Sequence, residues 1–177
     1  MVKIVQKEQP VLRDIAKSVP LKEIGTDKIN TVIQDMINAM EDQKDGIAIA
    51  APQINVSLRI FVVNGKLLKQ ADHSYKGNAD YIVFINPEII KESKEKKEVE
   101  EGCLSVRWLY GKVRRSVRMT ITAYNEKGEK SERGASGILA QIFQHEIDHL
   151  NGTLFIDKAK EVWEMTEEEV KELQDKN

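Results

Sequence analysis

The segment from Ser136 to Leu150 limits the fold more than any other. It is apolar at Ile138, Leu139, Ala140, Ile142, Phe143 and Ile147. On a helix these positions face several sides, so the helix must be enclosed by the rest of the chain. Asn151-Gly152 supplies its stop signal. Inside it, His145-Glu146-Ile147-Asp148-His149 reads H-E-x-x-H. Helical positions i and i+4 share a face, about 6 Å apart. Two imidazoles there can aim their ring nitrogens at one ion. Glu146 is turned by about 100° from His145. It therefore sits beside such an ion, where a carboxylate can accept a proton from bound water. Burying two imidazoles to no purpose is costly.

The remaining elements follow from periodicity. Ile29, Val32, Ile33, Met36 and Met40 form one helical face between Thr26 and Asp42. Val11-Leu12-Arg13 predicts a helical turn after Pro10. Strand-type runs occur at Arg59–Val63, Tyr81–Ile85 and Glu88–Ile90. Met119, Ile121 and Ala123 alternate with polar residues as in a half-buried strand. Gly65–Asp80 reads as a loop, and Lys91–Glu101 as a solvated hairpin. Thr166-Glu167-Glu168-Glu169 is a capping box opening an acidic terminal helix. The expected fold is α+β: one domain spanning 1–177, with mixed or antiparallel sheets packed around the central helix that carries H-E-x-x-H. An N-terminal amphipathic helix and a C-terminal helix complete it.

A net charge of −2 gives no general attraction to nucleic acid or anionic lipid. No apolar stretch approaches the ~18 residues of a membrane helix, and no secretory signal opens the sequence. Cys103 is the only cysteine. An internal disulfide is thus excluded, and a cytoplasmic setting fits. His73 reads as surface.

A catalytic metal site needs a third protein ligand and an open position. The extended motif H-E-x-x-H-x-x-G-x-x-H retains Gly152 but has Phe155 at its end, and a phenyl ring binds no metal. Glu161, Glu164 and Glu167 read as surface charges. That leaves Cys103, in Glu101-Gly102-Cys103-Leu104-Ser105. Taken alone, a single cysteine is as well explained as a small buried hydrophobe. The segment Gly46–Gln53 holds small and apolar side chains before one amide. By itself it reads as a tight core strand turning at Pro52. It also has the character to lie against a peptide, with the Gln53 amide as an oxyanion donor.

In this order, Gly46–Gln53, Glu101–Ser105 and Gln144–Gly152 resemble the three motifs of the peptide deformylases, and similar segments extend to about Asp157. The resemblance implies removal of the formyl group from N-formylmethionine on new polypeptides. It implies metal ligands Cys103, His145 and His149, with Glu146 as general base and then acid. Gln53 and the backbone N–H of Leu104 would meet the oxyanion. Ile47, Ala48 and Gly102 would hold the peptide, and Arg115 would be a substrate-side or structural residue. It further implies Fe²⁺ as the native ion, replaceable by Zn²⁺, Ni²⁺ or Co²⁺. The expected partners are N-formylmethionyl peptides and nascent chains, with transient contact at the ribosome through the basic run Arg107–Arg118; no specific nucleic acid and no membrane are expected. Three positions depart from the family pattern, Ile49 standing where leucine is usual. Ala48 replaces a usual glycine, and Arg107 a usual proline. They motivate a rival in which the chain only binds and has little activity. A zinc endopeptidase is the other rival.

Overall fold

The computed structural model describes residues 2–43, 45–73 and 75–175. After short 3₁₀ turns at Pro10–Leu12 and Leu21–Glu23, helix α1 runs from Asp27 to Glu41. It buries Ile29, Ile33, Met36 and Met40, four of the five positions in the predicted stripe, together with Ala39. Strand β1 (Ala48–Ala50) leads into a 3₁₀ turn at Ala51–Ile54, and β2 covers Ile60–Asn64. Helix α2 (Gly65–Ala71) lies where a loop was expected. Asn64 decides this: its side chain accepts from the N–H groups of Lys66 and Leu67, capping the helix, while Leu68 is fully buried.

Strand β3 (Tyr81–Glu92) joins two predicted strands into one. Pro87 lacks an N–H, and the register slips between Ile85 and Glu88. Asn86, at φ 51°, takes up the bend there, its side chain bonding both the N–H and the C=O of Val19. Strand β4 (Lys96–Cys103) pairs with β5 (Val106–Ser116), not with β3. The expected hairpin at Lys91–Glu101 is therefore a crossing between two sheets, and Glu101 at its end is buried. Strands β6 (Arg118–Tyr124) and β7 (Lys130–Ser136) precede α3 (Gly137–Leu150). Strand β8 (Glu161–Glu164), which carries no apolar alternation, was not anticipated; α4 (Glu167–Asp175) follows it.

Two sheets result, in the orders β1-β2-β3-β6-β7 and β4-β5-β8, and every pairing between these strands is antiparallel. The continuous apolar run of β2 has a simple cause. Phe61 and Val63 pack with α3, while Ile60 and Val62 pack with α1. The sheet is covered on both faces, so alternation is lost. Phe61 and Phe84 stack at 4.6 Å between ring centroids, and Phe143 of α3 meets Phe84 edge-on at 5.1 Å. Gly152 ends α3 at φ 71°, and a Cβ there would stand 2.4 Å from the Arg13 carbonyl oxygen. The N-terminal segment thus closes over the end of the buried helix. Among the described residues no helix is long and apolar enough to cross a membrane.

Candidate active site and metal centre

Helix α3 brings His145, Glu146 and His149 to one place because three turns of it are locked in the core. Cys103 arrives from the end of β4, where the turn Leu104-Ser105 redirects the chain into β5. The Cys103 sulfur lies 3.2 Å from His149 Nε2. One ligand atom from each of Cys103, His145 and His149 falls within 4.8 Å of the others. Donors bound tetrahedrally at ordinary Zn–S and Zn–N lengths stand about 3.5 Å apart. One sulfur and two imidazole nitrogens also suit a borderline divalent ion.

The surroundings orient these donors. His145 Nδ1 lies 2.9 Å from Glu101 Oε2, which leaves Nε2 to face the cluster. Glu101 also accepts from Arg115 Nε (2.7 Å) and Nη2 (2.8 Å). Arg115 Nη1 donates to Asp148, whose other oxygen accepts from Lys158. Beside the cluster, Glu146 Oε2 and His149 Nδ1 are buried polar atoms with no hydrogen-bond partner among the described residues. Gln53, only 2% exposed, accepts from the Ala50 N–H through Oε1. Its Nε2 is thereby turned toward Ser105 Oγ (3.1 Å) and the Cys103 sulfur (3.6 Å).

Burial pushes the Glu146 carboxyl up to about 7, with His145 opposing. Burial lowers the His149 imidazole well below its usual range and His145 adds to this, so that ring is neutral, as a ligand must be. For Glu101, burial alone would raise the pKa. Hydrogen bonds from Arg115 and His145 outweigh it and hold the carboxyl at about 2. A carboxylate depressed in the folded state contributes stability above its unfolded pKa, and that contribution disappears as pH falls through the folded value. Between 4.5 and about 2 the shift corresponds to roughly 3 kcal/mol. Urea midpoints of metal-stripped protein should therefore drop between pH 5 and pH 2.5. In Glu101→Gln the drop should be visibly shallower; equal slopes would sink the assignment.

A cleft of about 350 Å³ opens onto the cluster. Its walls include Ile47, Ala48, Gln53, Gly102, Cys103, Leu104, His145 and Glu146. Strand β1 borders it and is the edge of the five-stranded sheet, so among the described residues one side of its backbone has no neighbouring strand.

The family profile for polypeptide deformylase matches residues 1–164. The chain belongs to the peptide deformylase family. A peptide deformylase of Carboxydothermus hydrogenoformans is 43% identical over 161 residues, covering 90% of this chain and 94% of the relative. That of Halothermothrix orenii is 45% identical over 155 residues, covering 88% and 91%. The crystal structure of the Thermotoga maritima peptide deformylase superposes with a TM-score of 0.78 at 36% identity, covering 91% of this chain and 99% of that one. A Synechococcus elongatus peptide deformylase in complex with actinonin gives 0.74 at 30% identity, covering 98% and 84%. Peptide deformylases are metal-dependent hydrolases, and this chain carries a donor set of the kind that family needs.

Among the expected site residues of this deformylase, Arg115 stands apart. It is 4% exposed, does not border the cleft, and spends its guanidinium on Glu101 and Asp148. The substrate-side expectation is therefore corrected in favour of the structural one. Sequence reasoning missed Glu101 as the partner of His145 because it closes a long charge run that reads as solvent-facing. The only local signal was its place two residues before the cysteine. Ser105, fully buried beside Gln53, was also passed over. The basic run is not one surface. Arg107 pairs with Asp45, Lys112 with Glu161 and Arg118 with Glu95, while Arg115 is inside.

Proposed function

We propose that this chain hydrolyses the formyl amide of N-formylmethionine at the N-terminus of newly made polypeptides and releases formate. The carrying observation is the cluster of Cys103, His145 and His149 with a partnerless Glu146 carboxylate oxygen beside it, at the floor of a cleft bordered by a free strand edge. Cys103, His145 and His149 would hold one divalent ion, which when bound acidifies a water and polarises the formyl oxygen. Glu146 takes the proton of that water as its oxygen joins the formyl carbon. The Gln53 Nε2–H and the Leu104 N–H meet the negative charge that develops on the formyl oxygen. Glu146 then gives the proton to the departing amine, and the C–N bond breaks. Backbone groups of Ile47, Ala48 and Gly102 hold the peptide as an added strand. Arg115 keeps Glu101, and through it His145, in position.

Within this reading the ion is Fe²⁺ in the native enzyme, with Zn²⁺, Ni²⁺ and Co²⁺ as replacements. Residues 1–177 act as one catalytic domain in the cytoplasm. Because the substrate emerges from the ribosome, we include a transient ribosome contact, for which Arg114 and Arg118 are the exposed residues of the basic run. The test is formate release from formyl-Met-Ala by iron-, nickel- and zinc-loaded protein. Turnover is expected in at least the iron and nickel forms. No formate with any metal would leave only a binding protein. Cleavage of internal peptide bonds, with Cys103→Ser still holding metal, would mean an endopeptidase.

A further inference from the structure

Arg107 stands where the family pattern expects proline, and the deformylase chemistry makes no use of it. It lies on the wall of the cleft, together with Asp45, Trp108 and Glu100. Its guanidinium reaches across to the segment before β1. Nη1 donates to Asp45 Oδ2 at 2.6 Å, and Nη2 to Asp45 Oδ1 at 3.0 Å and to Gln43 Oε1 at 2.8 Å. Its Cζ sits 5.1 Å from the centre of the Trp108 ring. Trp108 itself is held at φ 62°, a conformation rare for a bulky residue. The Arg107 N–H donates to Gln6, whose amide also donates to the Leu104 carbonyl. The cation is therefore held by Asp45, Gln43 and Trp108, and its backbone by Gln6, yet its side chain and that of Asp45 remain 20% and 30% exposed.

Charge gives this arrangement its meaning. Among the described residues lining the cleft, Arg107 is the only arginine or lysine. It shares those walls with the carboxylates of Asp45, Glu100, Glu101 and Glu146. Glu101 is committed to Arg115 and His145, and Glu146 lies at the floor. At the mouth, Arg107 offsets Asp45, while the exposed Glu100 stands opposite Lys112 in the β4–β5 register. A bidentate guanidinium and carboxylate form a neutral pair, and two of the five guanidinium donors stay unengaged by Asp45 and Gln43.

We propose that Arg107 is a specificity-determining residue: paired with Asp45, it sets the charge preference of the cleft mouth for side chains downstream of the formylated methionine. The inference rests on the deformylase reading. As built, the neutral pair discriminates weakly between acidic and basic peptides. Without Arg107, the Asp45 carboxylate faces the peptide uncompensated and favours lysine. Without the Asp45 charge, the guanidinium is released and favours glutamate.

The experiment compares kcat/KM for formyl-Met-Ala-Lys amide and formyl-Met-Ala-Glu amide, and for the pair charged at the second residue, using metal-loaded full-length protein. The readout is the lysine-to-glutamate ratio within each variant, which cancels any general loss of activity. Relative to wild type, the ratio should rise about fivefold in Arg107→Ala and fall about fivefold in Asp45→Asn, the scale of one partly exposed charge contact. Arg107→Lys should keep it within about twofold of wild type. The shifts should shrink as salt is raised. Ratios that stay within twofold of wild type in both Arg107→Ala and Asp45→Asn, or that move the same way, overturn the inference while wild-type turnover of formyl-Met-Ala still stands. No formate from the wild type with any metal would overturn the deformylase reading and this inference with it.

Discussion

Replacing Glu146 by glutamine should cut kcat for formyl-Met-Ala by about 10³-fold, within the usual range for a lost general acid–base group, and leave the metal content unchanged. The Glu146 side chain is buried beside the three donors but is not one of them. Glutamine has nearly the same volume, so α3 should not shift. One carboxylate oxygen has no partner to lose, so the amide breaks no existing bond at that atom. What disappears is the ability to take and return a proton. Burial also tunes the carboxyl for proton transfer, bringing it to about 7, near the pH at which such a group works best. Metal analysis and kinetics must be done on the same sample. A loss under tenfold at full metal occupancy would remove Glu146 from its assigned role. Loss of metal in step with activity would make it a structural residue.

The route from sequence to this site was uneven, for physical reasons. Helix α1 was legible because it buries a stripe whose spacing is written locally in the chain, and α3 because its apolar residues face several sides. The pair His145 and His149 was legible from its local i, i+4 spacing. Cys103 was weaker, since one cysteine is equally at home in a core; elimination made it a ligand candidate, and its position among three ordered motifs added weight. Glu101 was read only as a neighbour of the cysteine, not as the partner of His145. Its partners lie 14 and 44 positions away, and nothing in a charge run marks which member turns inward. Strand β8 has no buried residue and exists because β5 offers it a hydrogen-bonding edge. Helix α2 was hidden by a polar segment, although Asn64 before Lys66-Leu67 was a cap in plain sight. Ala48 stands where the family pattern has glycine. It is 7% exposed and packs into the core around α3 as well as bordering the cleft, so its methyl group is shared between the two.

Removing Arg115 should damage the fold more than any other single change near the site. Its guanidinium lies 4% exposed between two acids, Glu101 and Asp148, with contacts of 2.6 to 2.8 Å. Arg115→Ala leaves Glu101 buried with only His145 opposite, and Asp148 with only Lys158. Breaking one side of a buried ion pair typically costs about 3–5 kcal/mol, because the remaining charge has lost both water and partner. That is a large part of the roughly 5–15 kcal/mol that holds an ordinary domain together. The chain has one escape, which is to protonate Glu101. The Glu101 hydrogen bond to His145 would then weaken, and the ring would no longer be held with Nε2 toward the sulfur. Arg115→Ala is thus expected to lower the urea midpoint strongly and to weaken metal binding as well. Arg115→Lys should recover part of the stability, but not the paired contact with both Glu101 oxygens. The double variant Arg115→Leu with Glu101→Gln removes both members of the two-bonded pair. If buried charge is the cause, it should be more stable than Arg115→Ala alone. A double variant less stable than the single one would instead assign the loss to packing around the guanidinium stem.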